Sequence, residues 1–325
     1  MTDGAGEALA LLRQGGKLAL SRALSRLEAE EGSARLAALL DLAVSEGSGR
    51  ALGLTGPPGV GKSTLTNALI RGFRTAGDTV GVLAVDPSSR LTGGALLGDR
   101  TRLATDPEDQ GIFVRSMAAR DRLGGLSDHA IAAIALFRAA RDQVIVESVG
   151  IGQSEADVAF AVDTLVLCIQ PGSGDSLQFM KAGVMELPDI IVVTKADMGA
   201  AAARAKSDVE GALSLSRLAS QDWTVPVLTV SAAEDKGTAE LMQAIARHQA
   251  YLKSSGKGAS RYLGQQRDWV SDFVQTRYGR AGASLVDVAA NLQRAGGPFA
   301  AMAAIRADFD RRLGLVQSLG PTTNI

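Results

Sequence analysis

Three glycines, a lysine and a hydroxyl residue fall in one turn of the sequence, Gly56-Pro57-Pro58-Gly59-Val60-Gly61-Lys62-Ser63. This is the spacing of a phosphate-binding loop. Glycines let successive backbone N–H groups wrap phosphate oxygens, and the start of a helix adds positive potential. Lys62 can reach the terminal phosphates and Ser63 can offer its hydroxyl to Mg²⁺. We therefore take Gly56, Pro57, Pro58, Gly59, Val60, Gly61, Lys62, Ser63 and Thr64 as candidate nucleotide-binding residues.

Acidic residues recur where apolar runs end. Asp86, before Pro87-Ser88-Ser89, and Glu147, in Glu147-Ser148-Val149-Gly150, are candidate ligands of the metal or its water shell. The Gly150 N–H is placed to sense a γ-phosphate and to release the following segment on hydrolysis. Thr194-Lys195-Ala196-Asp197 and Ser231-Ala232 supply base selection. An Asp carboxylate accepts the ring N–H and the exocyclic amino hydrogen of guanine, a donor pair adenine lacks. Lys195 can lay its stem over the ring, and the Ser231-Ala232 backbone can approach the guanine oxygen. Ile151 stands where small GTPases can carry a water-positioning glutamine, so intrinsic hydrolysis should be slow and a partner should supply the missing group.

These residues need strands to end beside one another. Short aliphatic runs at Ala51–Thr55, Thr79–Val85, Gln143–Glu147, Thr164–Gln170, Asp189–Thr194 and Val225–Val230 alternate with helical patterns at Lys62–Ala76, Asp128–Arg141, Ser176–Leu187, Ala200–Ala219 and Thr238–Lys253. The alternation predicts an α/β fold, a P-loop NTPase with a mostly parallel doubly wound sheet, with ligands at the carboxyl ends of the strands. Helical periods at Leu18–Glu31 and Ala34–Ser45 form an N-terminal lead-in. Small polar residues at Lys253–Ser260 read as a hinge before a helical C-terminal arm over Arg261–Arg277, Ser284–Gln293 and Pro298–Leu313. We divide the chain into residues 1–49, a nucleotide-binding domain at 50–253 and an arm at 254–325. The arm must pack back on the body or, the option we favour, on a second subunit.

Composition limits the alternatives. The 325 residues carry 34 Lys and Arg against 35 Asp and Glu, so no bulk charge draws the chain to nucleic acid or an anionic membrane. With one cysteine and two histidines it holds neither a disulfide framework nor a Cys/His metal site of its own. No apolar run is long enough to span a bilayer, and we expect a cytoplasmic protein.

The strings Leu83–Arg102 and Glu147–Glu155, with Pro171–Gln178 and the stretch up to Asp197, resemble the MeaB/ArgK family. Its members are G-protein chaperones of adenosylcobalamin-dependent acyl-CoA mutases, chiefly methylmalonyl-CoA mutase. The resemblance implies a homodimeric GTPase that uses GTP and Mg²⁺ to gate adenosylcobalamin delivery to a mutase and to protect or reactivate it. It implies that Lys62 and Ser63 bind phosphate and metal, that Asp86, Asp99 and Glu147 form the acidic Mg²⁺ set, and that Asp197 reads guanine. Thr194 stands where Asn is commoner. The client is then methylmalonyl-CoA mutase or a close relative. A G protein for nickel insertion into hydrogenase or urease, and a nucleotide-dependent scaffold with little turnover, are the rival readings.

Overall fold

The computed structural model describes residues 3–86, 103, 105–118, 126–148, 158–172, 186–215 and 222–314. In chain order these form α1 (Asp3–Gln14), α2 (Gly16–Ala29), α3 (Ala34–Glu46), β1 (Arg50–Thr55), α4 (Lys62–Thr75), β2 (Val80–Asp86), β3 (Ile112–Ala118), α5 (Asp128–Ala140), β4 (Gln143–Glu147), β5 (Thr164–Ile169) and β6 (Ile190–Val193). A short 3₁₀ turn (Ala196–Met198), α6 (Ala200–Leu215), β7 (Val227–Thr229), α7 (Thr238–Ser254), α8 (Lys257–Ala283), α9 (Val288–Ala295) and α10 (Pro298–Arg312) complete the order. Among the described residues no helix is long and apolar enough to cross a membrane.

The seven strands make one parallel sheet in the order β3-β2-β4-β1-β5-β6-β7. Alternate residues of each strand feed opposite layers. Leu52 and Leu54 join α4 and α7 on one face, while Ala51, Leu83, Val144 and Val146 face α5 on the other. Both faces are covered, which is why the strands read as near-continuous apolar runs. A third cluster seats α6 on β5, β6 and β7.

Helix α5 explains the thickness of the second face. Every residue from Ala130 to Phe137 is buried, as expected of a helix that is apolar all round. One side packs on the sheet, where Gly81 of β2 makes room for Phe137; a Cβ at Gly81 would stand 2.1 Å from the ring. Its other side meets α2, α3, α8 and α10 in a single apolar cluster. Helices from both ends of the chain thus share one core. Trp269, Val270, Phe273, Phe299, Met302 and Ile305 of the arm are covered within the chain, while Leu263, Leu285 and Leu313 stay exposed.

Three sequence expectations change. Strand β3 was not foreseen, because Arg115 and Ser116 interrupt its apolar run at the sheet edge. Helix α1 was not foreseen either; Gly4 and Gly6 weaken its pattern, and burial of Ala5, Leu9 and Leu12 supplies what propensity does not. The expected hinge at Lys253–Ser260 is mostly helix: α7 and α8 are separated only by Ser255 and Gly256, the latter at φ 70°. The helix expected at Ser176–Leu187 lies outside the described residues up to position 185.

Asp41 of α3 fastens the arm. Helix α10 has Gly297 at its N-cap and no capping side chain of its own, and the Asp41 carboxylate accepts N–H bonds from Phe299 (2.8 Å) and Ala300 (2.9 Å) instead. Burial pushes the Asp41 carboxyl up to about 6, outweighing the two N–H bonds that favour its charge. The folded state therefore holds this proton more tightly than the unfolded chain does. The resulting stability is present in full below pH about 4 and is lost as pH rises through about 6. Relative to Asp41→Asn, the wild type should lose about 2–3 kcal/mol between pH 4 and pH 7 in urea unfolding. A constant difference across that window would show that Asp41 does not titrate there.

Candidate nucleotide site

The loop after β1 has the backbone its glycines foretold. Gly56 sits at φ 138°, and a Cβ there would lie 2.2 Å from the Cys168 carbonyl oxygen, so neither the dihedral nor the space admits another residue. Gly59 and Gly61 also have positive φ, and Gly61 caps α4 with no side-chain hydrogen bond. A helix start without a capping side chain is the arrangement that suits an anion. Lys62 is buried and folds back, donating from Nζ to the carbonyls of Gly56 (2.7 Å) and Pro57 (3.2 Å). Its ammonium already lies where the loop would curl around a phosphate. Burial pushes the neighbouring Cys168 thiol up to about 12, which leaves it an inert core residue.

Glu147, at the carboxyl end of β4, is in register with Leu54 of β1. Its Oε1 accepts from Ser63 Oγ at 2.7 Å and its Oε2 from Thr66 Oγ1 at 2.8 Å. The buried carboxylate thus joins the central sheet to the first turns of α4. Ser148 fixes the same edge, donating its N–H to Leu54 O and its hydroxyl to Thr55 Oγ1, both at 3.0 Å. Thr66 and Ser148 were missed from sequence. Thr66 lies one turn beyond Ser63 on the same face of α4, and that spacing was the available signal.

The donors here suit a hard cation. A serine hydroxyl and a carboxylate offer oxygen only, the chemistry Mg²⁺ prefers when phosphate and water complete its shell. Among the described residues no group of three or more His, Cys, Asp or Glu could hold an ion without such help. Asp86 ends β2, its backbone in register with Ala118 of β3 and two residues past the Ala84–Glu147 pairing of β2 and β4. The Asp86 side chain, Asp99 and Gly150 lie outside the described residues.

The base-reading residues meet on the other side of the loop. Thr194, just past β6, is buried; its hydroxyl lies 2.7 Å from the Val60 carbonyl and 3.0 Å from that of Ile169, and one proton serves both. The residue that departs from the commoner Asn therefore ties the base-reading turn to the phosphate loop. Lys195 takes a left-handed φ of 54° and extends its Nζ to Gln170 Oε1 at 2.8 Å. Asp197 Oδ1 accepts from Ser231 Oγ at 2.7 Å, and the Ala196 N–H reaches Val230 O at 3.2 Å. The Ser231 hydroxyl holds the exposed Asp197 carboxyl below the usual carboxylate range. An ionised, exposed carboxylate beside Ser231 and the partly buried Ala232 has the lone pairs to accept two N–H donors of guanine.

Thr194→Val keeps the shape of the residue and removes the hydroxyl. It should cost about 1–2 kcal/mol of nucleotide affinity by calorimetry, with Thr194→Asn restoring most of it. Equal affinity in the valine variant would remove this bridge from the site.

Relatives agree with the geometry. The family described as methylmalonyl-CoA mutase-associated GTPase MeaB matches residues 20–282. The GTPase ArgK of Escherichia coli is 38% identical over 270 residues, covering 81% of this chain and 82% of that one. The mouse mitochondrial protein named as a homolog of methylmalonic aciduria type A is 36% identical over 227 residues, covering 69% of this chain and 55% of that one. A crystal structure titled LAO/AO transport system kinase superposes with a TM-score of 0.70 at 30% identity, covering 96% of this chain and 95% of that one. With a phosphate loop, a carboxylate on its serine and the Asp197–Ser231 pair near the same sheet edge, the chain belongs to the MeaB family and is a guanine-nucleotide-binding P-loop GTPase.

Proposed function

We propose that this GTPase serves as a nucleotide-controlled chaperone of an adenosylcobalamin-dependent acyl-CoA mutase, gating cofactor delivery and protecting or reactivating the enzyme. The description of the family and the name of the mouse relative support this client class. The single observation that supports a switch is the Glu147 carboxylate, which bonds Ser63 and Thr66 directly and can exchange the Ser63 hydrogen bond for a shared metal ion. A site that changes partners at the nucleotide is what a switch needs.

In this reading Lys62 leaves the Gly56 and Pro57 carbonyls for the β- and γ-phosphate oxygens, while the α4 amides hold the phosphate chain. Ser63 and Glu147 hold Mg²⁺, with Asp86 and Asp99 kept as proposed members of the acidic set. The bound ion supplies charge neutralisation at the phosphates. Asp197 orients guanine, and Gly150 reports the γ-phosphate to the segment that follows it. Ile151, not a glutamine, directly follows Gly150, and the nearest glutamine is Gln153, so turnover is slow until a partner adds a group. We propose a cytoplasmic homodimer joined through the arm, whose exposed Leu263, Leu285 and Leu313 offer an apolar contact.

Lys62→Ala should lower GTP turnover by about 10²–10³-fold in a phosphate-release assay, as expected for loss of a preorganised charge. Wild-type turnover in that variant would mean that Lys62 holds no phosphate. Asp197→Asn should move preference from guanine toward xanthine nucleotides, and unchanged discrimination would take Asp197 out of base reading. Methylmalonyl-CoA mutase should co-elute with the protein on gel filtration in a nucleotide-dependent manner. Separate elution with GDP and with a non-hydrolysable GTP analogue would contradict the chaperone reading.

A further inference from the structure

A cavity of about 380 Å³ opens where the two ends of the chain meet α5, and none of the described nucleotide-site residues lines it. Leu27, Leu36, Leu40, Phe273, Phe299 and Met302, from α2, α3, α8 and α10, make its walls. Ser33, Ser127 and Thr276 add hydroxyls to this lining. Volume and lining are those of a site for a small ligand, which joins an apolar interior to a few convergent polar groups.

The mouth is built around one carboxylate. Glu31, in the turn between α2 and α3, lies 3.1 Å from Arg306 Nη1, 3.9 Å from Arg277 Nη1 and 3.5 Å from His129 Nε2. Basic groups from three separate helices thus converge on a single acid that is itself half exposed. Asp128 also lines the mouth, and Asp310 lies 3.9 Å from Arg306 Nε on the side of α10. Gly32 holds the turn at φ 77°, and a Cβ there would come within 2.9 Å of Arg306 Nη1, so the turn is fitted closely against the arginine. Glu31 occupies the place an anionic head group would take above an apolar cavity.

We propose that this cavity is a second ligand site, for a small amphiphile whose apolar chain fills the pocket and whose anionic head, carboxylate or phosphate, displaces Glu31 from Arg277 and Arg306. The proposal does not depend on which mutase is the client. Residues from both ends of the chain wall the cavity and α5 links it to the sheet, so a bound molecule would brace the layer that the arm shares with the nucleotide-binding body.

Calorimetric titration of the full chain with decanoate, decyl phosphate and decanol, all below their aggregation limits, tests it. One decanoate or decyl phosphate should bind per chain, and the tighter of the two identifies the head group. Decanol should bind more weakly. Arg306→Met should weaken the anionic probes by about tenfold, the loss of one charge-assisted hydrogen bond, and leave decanol unchanged. Glu31→Gln should tighten them, a gain that misfolding cannot imitate, and thermal unfolding of each variant will show that the fold is kept. No binding of either anionic probe would overturn the proposal. So would equal binding of all three probes without response to Arg306→Met or Glu31→Gln, which would leave an apolar surface only.

Discussion

The buried Glu147 carboxylate is the joint on which the rest of the site turns. It stands at the end of a fully buried strand and is satisfied by two hydroxyls of α4, Ser63 and Thr66. A buried carboxylate without partners would cost several kcal/mol, so α4 must begin where those hydroxyls can reach it. That fixes the phosphate loop against β4 as well as β1. Gly56 then passes so close to Cys168 that only glycine fits. The loop is held from three strands, and its inner contacts, Lys62 to the Gly56 and Pro57 carbonyls and Ser63 to Glu147, are of a kind that a nucleotide can replace.

The same economy appears on the base side. Thr194 lacks the longer amide of Asn, yet its hydroxyl still spans the gap between β6, β5 and the Val60 carbonyl. The base-reading turn is consequently tied to the phosphate loop through one short side chain. Ser231 holds Asp197 in place while lowering its proton affinity, so orientation and charge come from one hydrogen bond. A nucleotide that bridges Lys62 and Asp197 would meet groups that are already positioned.

Much of this was legible in the sequence because it is local. The phosphate loop, Glu147 and Asp197 each sit directly after an aliphatic run, and a parallel sheet brings such ends to one edge. What was not legible depends on distant partners. Strand β3 carries Arg115 and Ser116 because it is an edge strand, and its strand character comes from pairing with β2. Helix α1 is stabilised by packing on α3 rather than by its own residues. Thr66 looked like an ordinary helix residue until β4 was placed beside it. The packing of the arm is equally non-local: Phe273, Phe299 and Met302 find cover in helices from the start of the chain.

In the proposed cycle the Ser63–Glu147 pair is the metal-dependent element of the guanine-nucleotide site. Titration of GDP into the wild type and into Glu147→Gln, with and without Mg²⁺, tests it most directly. Mg²⁺ should tighten GDP binding by about tenfold or more in the wild type, and this increment should vanish in Glu147→Gln while binding without metal is largely kept. An equal Mg²⁺ increment in both proteins would contradict the account.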